Sequence, residues 1–221
     1  MNDNLQAIMD SALRDRRLLS HPFYRRWEAG QLTHAELARY AEQYRFFEEM
    51  LPSFLEGLSA DLPDGPARDA VQDNLSDETT PPTHLELFER FARSYGASSA
   101  PISAAMRTLV DSYAQIREQG PCAALAGLWA YESQGAEVAD SKADALLRHY
   151  GAGPEAVVFW DVHGSVEGDH ARWTFEALET LDPDVDEVEE AVRLIGDAWW
   201  AFLDERETVG SYEHATVDHR T

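Results

Sequence analysis

The stretch His163-Gly164-Ser165-Val166-Glu167-Gly168-Asp169-His170 decides how this chain is read. Taken as part of a helix over residues 154–180, positions i, i+4 and i+7 turn through about 0°, 40° and −20°, so His163, Glu167 and His170 share one narrow stripe. Two imidazoles and a carboxylate on one helical face suit iron, manganese or zinc, whereas calcium or magnesium prefers an all-oxygen cage. The competing reading is a half-buried, hydrogen-bonded His163, with Glu167 and His170 as a surface pair. Donors elsewhere bear on the choice, because helical bundles that hold two metals draw carboxylates and histidines from several facing helices.

Such donors exist. Glu132 follows the apolar run Ala126-Gly127-Leu128-Trp129-Ala130-Tyr131, where a carboxylate is costly unless it ionises against a cation. Glu78 and His84 flank Pro81-Pro82, which interrupts any helix there and can swing both side chains inward. Taken singly, each has a plain alternative: solvation at a helix C-terminus for Glu78, and a first-turn position for His84. Six donors in one chain favour a shared metal centre.

Helical signals recur along the sequence and strand signals hardly occur. Thr33-His34-Ala35-Glu36 has the form of a capping box ahead of Leu37, Tyr40, Tyr44, Phe47 and Leu51, spaced by three and four. Pro52 is expected to bend that helix. Gly151, Gly153 and Pro154 separate two helices, and Asp182-Pro183 reads as an N-cap followed by proline at the first helical position. The pattern predicts helices over residues 3–18, 22–29, 34–60, 65–78, 83–96, 103–118, 121–150 with a break near Gly135, 154–180 and 183–206. The fold class is all-α. Residues 1–208 are expected to form a single domain, with 209–221 as a flexible tail.

Charge and composition narrow the function classes. The 221 residues carry 18 Lys and Arg against 41 Asp and Glu, a net charge of −23, which argues against nucleic acid and anionic membrane surfaces as partners. A single cysteine forms no intramolecular disulfide. Met1-Asn2-Asp3-Asn4-Leu5-Gln6 lacks the basic and apolar regions of a signal peptide, and no apolar stretch approaches the roughly 20 residues that span a bilayer. A soluble, cytoplasmic protein is expected.

Five segments carry a resemblance: His21-Pro22-Phe23-Tyr24-Arg25-Arg26-Trp27, Leu37-Ala38-Arg39-Tyr40-Ala41-Glu42-Gln43-Tyr44, Asn74-Leu75-Ser76-Asp77-Glu78, Ala130-Tyr131-Glu132-Ser133-Gln134 on through Lys142, and His149-Tyr150-Gly151. From about residue 10 to 205 the chain resembles the haem-oxygenase-like dimetal oxidases, and within them the CADD-like para-aminobenzoate synthase branch. PqqC-like proteins and TenA thiaminases are wider relatives. The resemblance implies a compact bundle of seven or more helices without haem, often a homodimer. It also implies two non-haem metal ions, Fe/Fe or Mn/Fe, with O2 as co-substrate and an external reductant. Matched position by position, its six metal ligands are Glu78, His84, Glu132, His163, Glu167 and His170. Three departures stand out. The family more often has aspartate at the place of Glu167; the interval from Glu78 to His84 is one residue short, which makes Asp77 a reserve ligand; and Gly135-Ala136 replaces the pair usual before Glu137.

Relatives separate on single residues. The thiaminases need a cysteine less than two turns before the carboxylate matched by Glu132, and Cys122 lies ten positions before it, so that chemistry is not expected. In the para-aminobenzoate branch a tyrosine of the enzyme is the carbon source and a lysine is needed; these match Tyr24 and Lys142. Read without the resemblance, Lys142 is a solvated, salt-bridging lysine in an acidic segment, and Tyr24, Tyr44 and Tyr131 are core aromatics. Three functions follow as alternatives: a self-sacrificing para-aminobenzoate synthase, a dimetal oxidase acting on an external small molecule, and a non-catalytic metal-holding or interaction protein.

Overall fold

Capping chemistry and apolar periodicity set most element boundaries in the computed structural model, which describes residues 2–217. Among them there are α-helices and short 3-10 turns and no strand. In chain order the helices are α1 (Asn2–Leu13), α2 (Pro22–Glu28), α3 (His34–Asp61), α4 (Pro66–Thr79), α5 (His84–Ser94), α6 (Ala104–Gln119), α7 (Pro121–His149), α8 (Pro154–Thr180) and α9 (Val185–Val217). The all-α expectation holds.

Helix α3 shows why the periodic pattern was informative. Thr33 and Glu36 form the reciprocal capping box, satisfying two backbone donors that a helix start otherwise leaves open. Leu37, Tyr40, Tyr44, Phe47 and Leu51 all fall in the core, and the helix runs through Pro52. The second half of the chain supplies the scaffold of the site. α7 packs along α8, and α8 is flanked by α4 and α5, while α9 closes against α6, α7 and α1.

Four boundaries differ from expectation. α1 stops at Leu13 rather than residue 18, and two 3-10 turns follow; the Leu18 amide leaves the helical ladder to donate to Gln134 Oε1 at 2.8 Å. α7 is continuous through Gly135, so this glycine marks a close approach between helices and not a break. α9 starts at Val185 because Asp184, not Asp182, is the capping side chain: its Oδ1 accepts from the Asp186 and Glu187 amides at 2.9 and 3.2 Å. Finally, α9 continues to Val217 instead of ending near 206. The helix therefore enters the stretch expected as a tail, whose last residues, 218–221, lie outside the described residues. No helix among the described residues is long and apolar enough to cross a membrane.

Candidate metal centre

His163, Glu167 and His170 all project from α8 into the interior, each at most 3 % exposed. A surface pair is thereby excluded. The backbone carbonyl of Phe159 lies 2.9 Å from His163 Nδ1; since a carbonyl only accepts, Nδ1 carries the proton and Nε2 keeps its lone pair for a ligand. That Nε2 is 3.8 Å from Glu167 Oε1, one turn along the helix.

Glu78 ends α4 and His84 begins α5, and the intervening Pro81-Pro82 folds one onto the other. Glu78 Oε2 and His84 Nδ1 stand 2.9 Å apart, yet His84 Nδ1 has no hydrogen-bond partner in acceptable geometry. With metal–ligand bonds of about 2.0–2.2 Å, two donors at right angles around one metal are separated by about 3 Å, so this spacing fits a shared cation. Donor atoms of Glu78, His84 and His163 all lie within 4.8 Å of one another, and all three residues are buried.

The other expected donors, Glu132, Glu167 and His170, are buried as well but do not join this close trio among the described residues. Glu132 accepts from Asn74 Nδ2 and Thr174 Oγ1, both at 2.6 Å, which fixes its orientation while leaving a lone pair on each oxygen. Glu167 Oε2 is buried without any hydrogen-bond partner. His170 Nε2 is 3.1 Å from Asp77 Oδ2. Asp77 is thus turned outward, 46 % exposed at its side chain, and it is Glu78 that faces His84.

Electrostatics state the same demand for a cation. Burial pushes the Glu132 carboxyl up to about 8, with the Thr174 and Asn74 hydrogen bonds opposing and the Glu78 charge adding. Glu167 is driven well above the carboxylate range by burial and then by Glu132 and Glu78. Burial and the neighbouring His84 hold His163 well below the usual imidazole value. Without a cation every one of these groups is driven toward its neutral form. A bound divalent ion inverts that preference.

Two glycines let α7 and α8 approach. A Cβ at Gly135 would lie 2.8 Å from the Glu167 carboxyl carbon and 2.9 Å from its Cγ, and one at Gly164 would lie 2.2 Å from Asp140 Oδ1. Gly135 therefore vacates the volume that the longer Glu167 side chain occupies, which ties together two departures noted in the sequence.

Beside the donors lies an aromatic compartment around Lys142, which is 3 % exposed and not the solvated lysine of the plainer reading. Its Nζ donates to Tyr40 Oη at 2.8 Å and sits 4.4 Å from the Tyr24 ring and 4.2 Å from the Trp160 ring. Tyr24 and Tyr40 hydroxyls are 2.9 Å apart, and the Tyr44 hydroxyl is hydrogen-bonded to that of Tyr131. Burial lowers the Lys142 ammonium well below its usual value, against the pull of Glu48. Trp160 precedes His163 by one helical turn, so this compartment adjoins the donor cluster.

A model of iron-containing redox enzymes matches residues 38–203. The chain belongs to this family. As an iron-containing redox enzyme it is an oxidoreductase, and its imidazole and carboxylate donors suit iron. Curated relatives include 4-aminobenzoate synthase of Chlamydia muridarum, 31 % identical over 91 % of this chain and 89 % of its own. The 4-aminobenzoate synthase of Nitrosomonas europaea is 33 % identical over 89 % of this chain and 88 % of its own. Among solved structures, a CADD-like protein from Nostoc punctiforme superposes with a TM-score of 0.78 at 16 % identity, covering 95 % of this chain and 98 % of that one. A domain with a haem-oxygenase-like fold from Shewanella denitrificans superposes with a TM-score of 0.70 at 16 % identity, covering 99 % of this chain and 93 % of that one, and establishes the haem-oxygenase-like fold.

Sequence reasoning gave no role to Glu48, Asn74 and Thr174, and read Tyr40 only as part of the apolar stripe. Each had a faint signal. Asn74 and Thr174 stand four residues from Glu78 and His170, on the same helical faces, and Glu48 sits four residues after Tyr44 on the apolar stripe of α3.

Proposed function

We propose that this protein is an O2-dependent, non-haem dimetal oxidase that makes para-aminobenzoate from its own Tyr24. Its catalytic residues are then Tyr24 and Lys142, and its metal ligands Glu78, His84, Glu132, His163, Glu167 and His170, within one domain spanning residues 1–208. The relatives named 4-aminobenzoate synthase support the product. The observation that carries the reading is the placement of Lys142 Nζ 4.4 Å from the Tyr24 ring and 4.2 Å from the ring of Trp160, which lies one helical turn before His163.

Two metals, Fe/Fe or Mn/Fe, bound by the six donors would supply O2 activation with electrons from an external reductant. The chain's own residues do the rest. Para-aminobenzoate is a benzene ring with a carboxyl carbon opposite a nitrogen, and tyrosine is a ring with Cβ opposite an oxygen. Conversion keeps the ring and Cβ, breaks Cα–Cβ, oxidises Cβ to the carboxylate with O2 as oxidant, and replaces the Cζ–O bond by Cζ–N. Lys142 supplies the nitrogen: its amine condenses at Cζ as the tyrosine oxygen leaves as water, and Cε is then oxidised, with O2 as the ultimate oxidant, so that hydrolysis breaks Cε–Nζ and leaves an aldehyde on the lysine stem. Burial drives the amine toward its neutral, nucleophilic form. Tyr40, hydrogen-bonded to both the amine and the Tyr24 hydroxyl, links them for proton transfer. The packed rings of Trp27, Tyr44 and Trp160 exclude water from the reactants.

A second reading, oxidation of an external small molecule by N-oxygenation, C–C cleavage or desaturation, is favoured by a different feature. A surface cleft of about 390 Å³, lined in part by Arg17, Trp129, Arg172 and Phe175, reaches Glu132. Manganese occupancy and a homodimer belong to the proposal and follow from the family resemblance, and a cytoplasmic location is proposed with them.

The test is to load the purified protein anaerobically with Fe(II) and Mn(II), expose it to O2 with a reductant, and analyse metal content, intact chain and released molecules. Two metals per chain, free para-aminobenzoate and a chain altered at Tyr24 are expected. Two metals with an unaltered chain would transfer the activity to an external substrate.

A further inference from the structure

The charge of the buried centre does not close with six ligands. Three neutral imidazoles and three carboxylates leave two divalent cations with one unbalanced positive charge, and an unpaired charge in a protein interior is costly. One buried carboxylate near the donors is unused. Glu48, on α3, is 2 % exposed, and both of its oxygens are buried without a hydrogen-bond partner.

Its neighbours show where it belongs. Burial first, and then the charge of Glu78, push the Glu48 carboxyl well above the carboxylate range, and Glu48 adds in the same sense to Glu167 after burial, Glu132 and Glu78. It therefore lies within electrostatic reach of donors on both α4 and α8. The Tyr44 hydroxyl is near enough to ease its ionisation but outside good hydrogen-bond geometry, and is committed to Tyr131. Lys142, the cation that acts on it, directs Nζ to Tyr40 and the surrounding rings. An interior carboxylate left without a hydrogen-bond donor is costly, so its retention on an otherwise apolar stripe calls for a ligand.

We propose that Glu48 is a seventh donor of the metal centre, a fourth carboxylate directed to the metal held by Glu78. With it the centre balances, four carboxylates against two divalent cations. The inference rests on the dimetal reading above and adds to it a residue from α3, so that the helix carrying Tyr40 and Tyr44 also touches the metal. Changes at the centre would then pass directly to the tyrosine compartment.

The experiment is an anaerobic titration of wild type, Glu48→Gln and Glu48→Leu with Mn(II) and with Fe(II), followed by elemental analysis and thermal unfolding of the metal-free and loaded forms. Wild type should bind two equivalents. In both variants at least one equivalent should weaken tenfold or more, and the metal-induced rise in Tm should shrink. The metal-free variants should be as stable as metal-free wild type or more so, because an orphaned carboxylate has been removed. Wild-type affinity for both equivalents in Glu48→Gln would overturn the proposal, as would metal-free variants that unfold earlier while binding metal normally, which would make Glu48 structural. Wild type that binds no metal would remove the dimetal reading itself, and with it this one.

Discussion

Two buried compartments lie side by side in this molecule and treat charge in opposite ways. In the first, between α4, α5, α7 and α8, carboxylates and imidazoles accumulate with oxygens left unpaired. In the second, around α2, α3 and α7, the one ionisable nitrogen is wrapped by the rings of Tyr24, Trp27, Tyr40, Tyr44 and Trp160. Burial penalises the charged form in both. The first can meet that penalty by taking up a cation, whereas in the second burial pushes the lysine toward its neutral amine beside a phenol. On the proposed function this difference would separate holding an oxidant from holding something to be oxidised, and substitutions should separate the two.

The largest effect is expected from the first compartment. His163→Ala or Glu132→Ala should abolish dimetal occupancy, measured by elemental analysis, and with it all product; two metals per chain in either variant would contradict the ligand assignment. Next come variants that leave the metals and remove the reactants. Tyr24→Phe and Lys142→Met should keep two metals and form no para-aminobenzoate, and loss of metal in either would mean that the compartments are not independent. Metal-free Lys142→Met should also unfold about 1 kcal/mol later than wild type, since a buried amine is replaced by an apolar side chain of similar length.

A smaller effect is expected from Gly135→Ala. The new methyl meets the Glu167 carboxyl at 2.8 Å, so metal affinity should drop about tenfold, or about 1.4 kcal/mol. Restoring it by the shorter Glu167→Asp in the same chain would show that the two positions compensate each other. The smallest is a pH dependence of the metal-free protein. Glu132 titrates near 8 when folded and near 4.3 when unfolded, so between about pH 6.5 and 8 the folded state holds the extra proton and stability falls as pH rises. The slope is roughly 1.4 kcal/mol per pH unit for each retained proton. Below about pH 6.5 His163, lowered by burial, opposes the trend, because the unfolded histidine then takes up the proton. Unfolding of metal-free Glu132→Gln should show a shallower slope, and a slope equal to wild type would show that Glu132 is ionised in the folded state.

How much of this was legible depends on the distance over which each feature is encoded. The α8 stripe and the capping box of α3 are local, since helical spacing alone puts His163, Glu167 and His170 on one face. The reach across Pro81-Pro82 was legible as a break, and its consequence, a 2.9 Å approach of Glu78 to His84, required the packing of α4 and α5 on α8. Gly135 was misread for the same reason. A glycine in a helical pattern signals either a bend or a close neighbour, and that neighbour, Glu167, is 32 residues away in sequence. Glu48 was passed over because a glutamate on an apolar stripe has no meaning until the stripe is seen to face Glu78 and Lys142.

By itself, then, the sequence determined an all-helical chain, the faces its helices bury and the residue types able to hold a metal, because these follow from periodicity, capping and side-chain chemistry within a few turns. Only the tertiary structure decided that Glu78 and not Asp77 faces His84, that Lys142 is buried against Tyr24, and that Glu48 stands unpaired beside the donors. Those outcomes depend on which helices pack together, and burial acquires its electrostatic consequence only when distant segments close around a group and remove it from water.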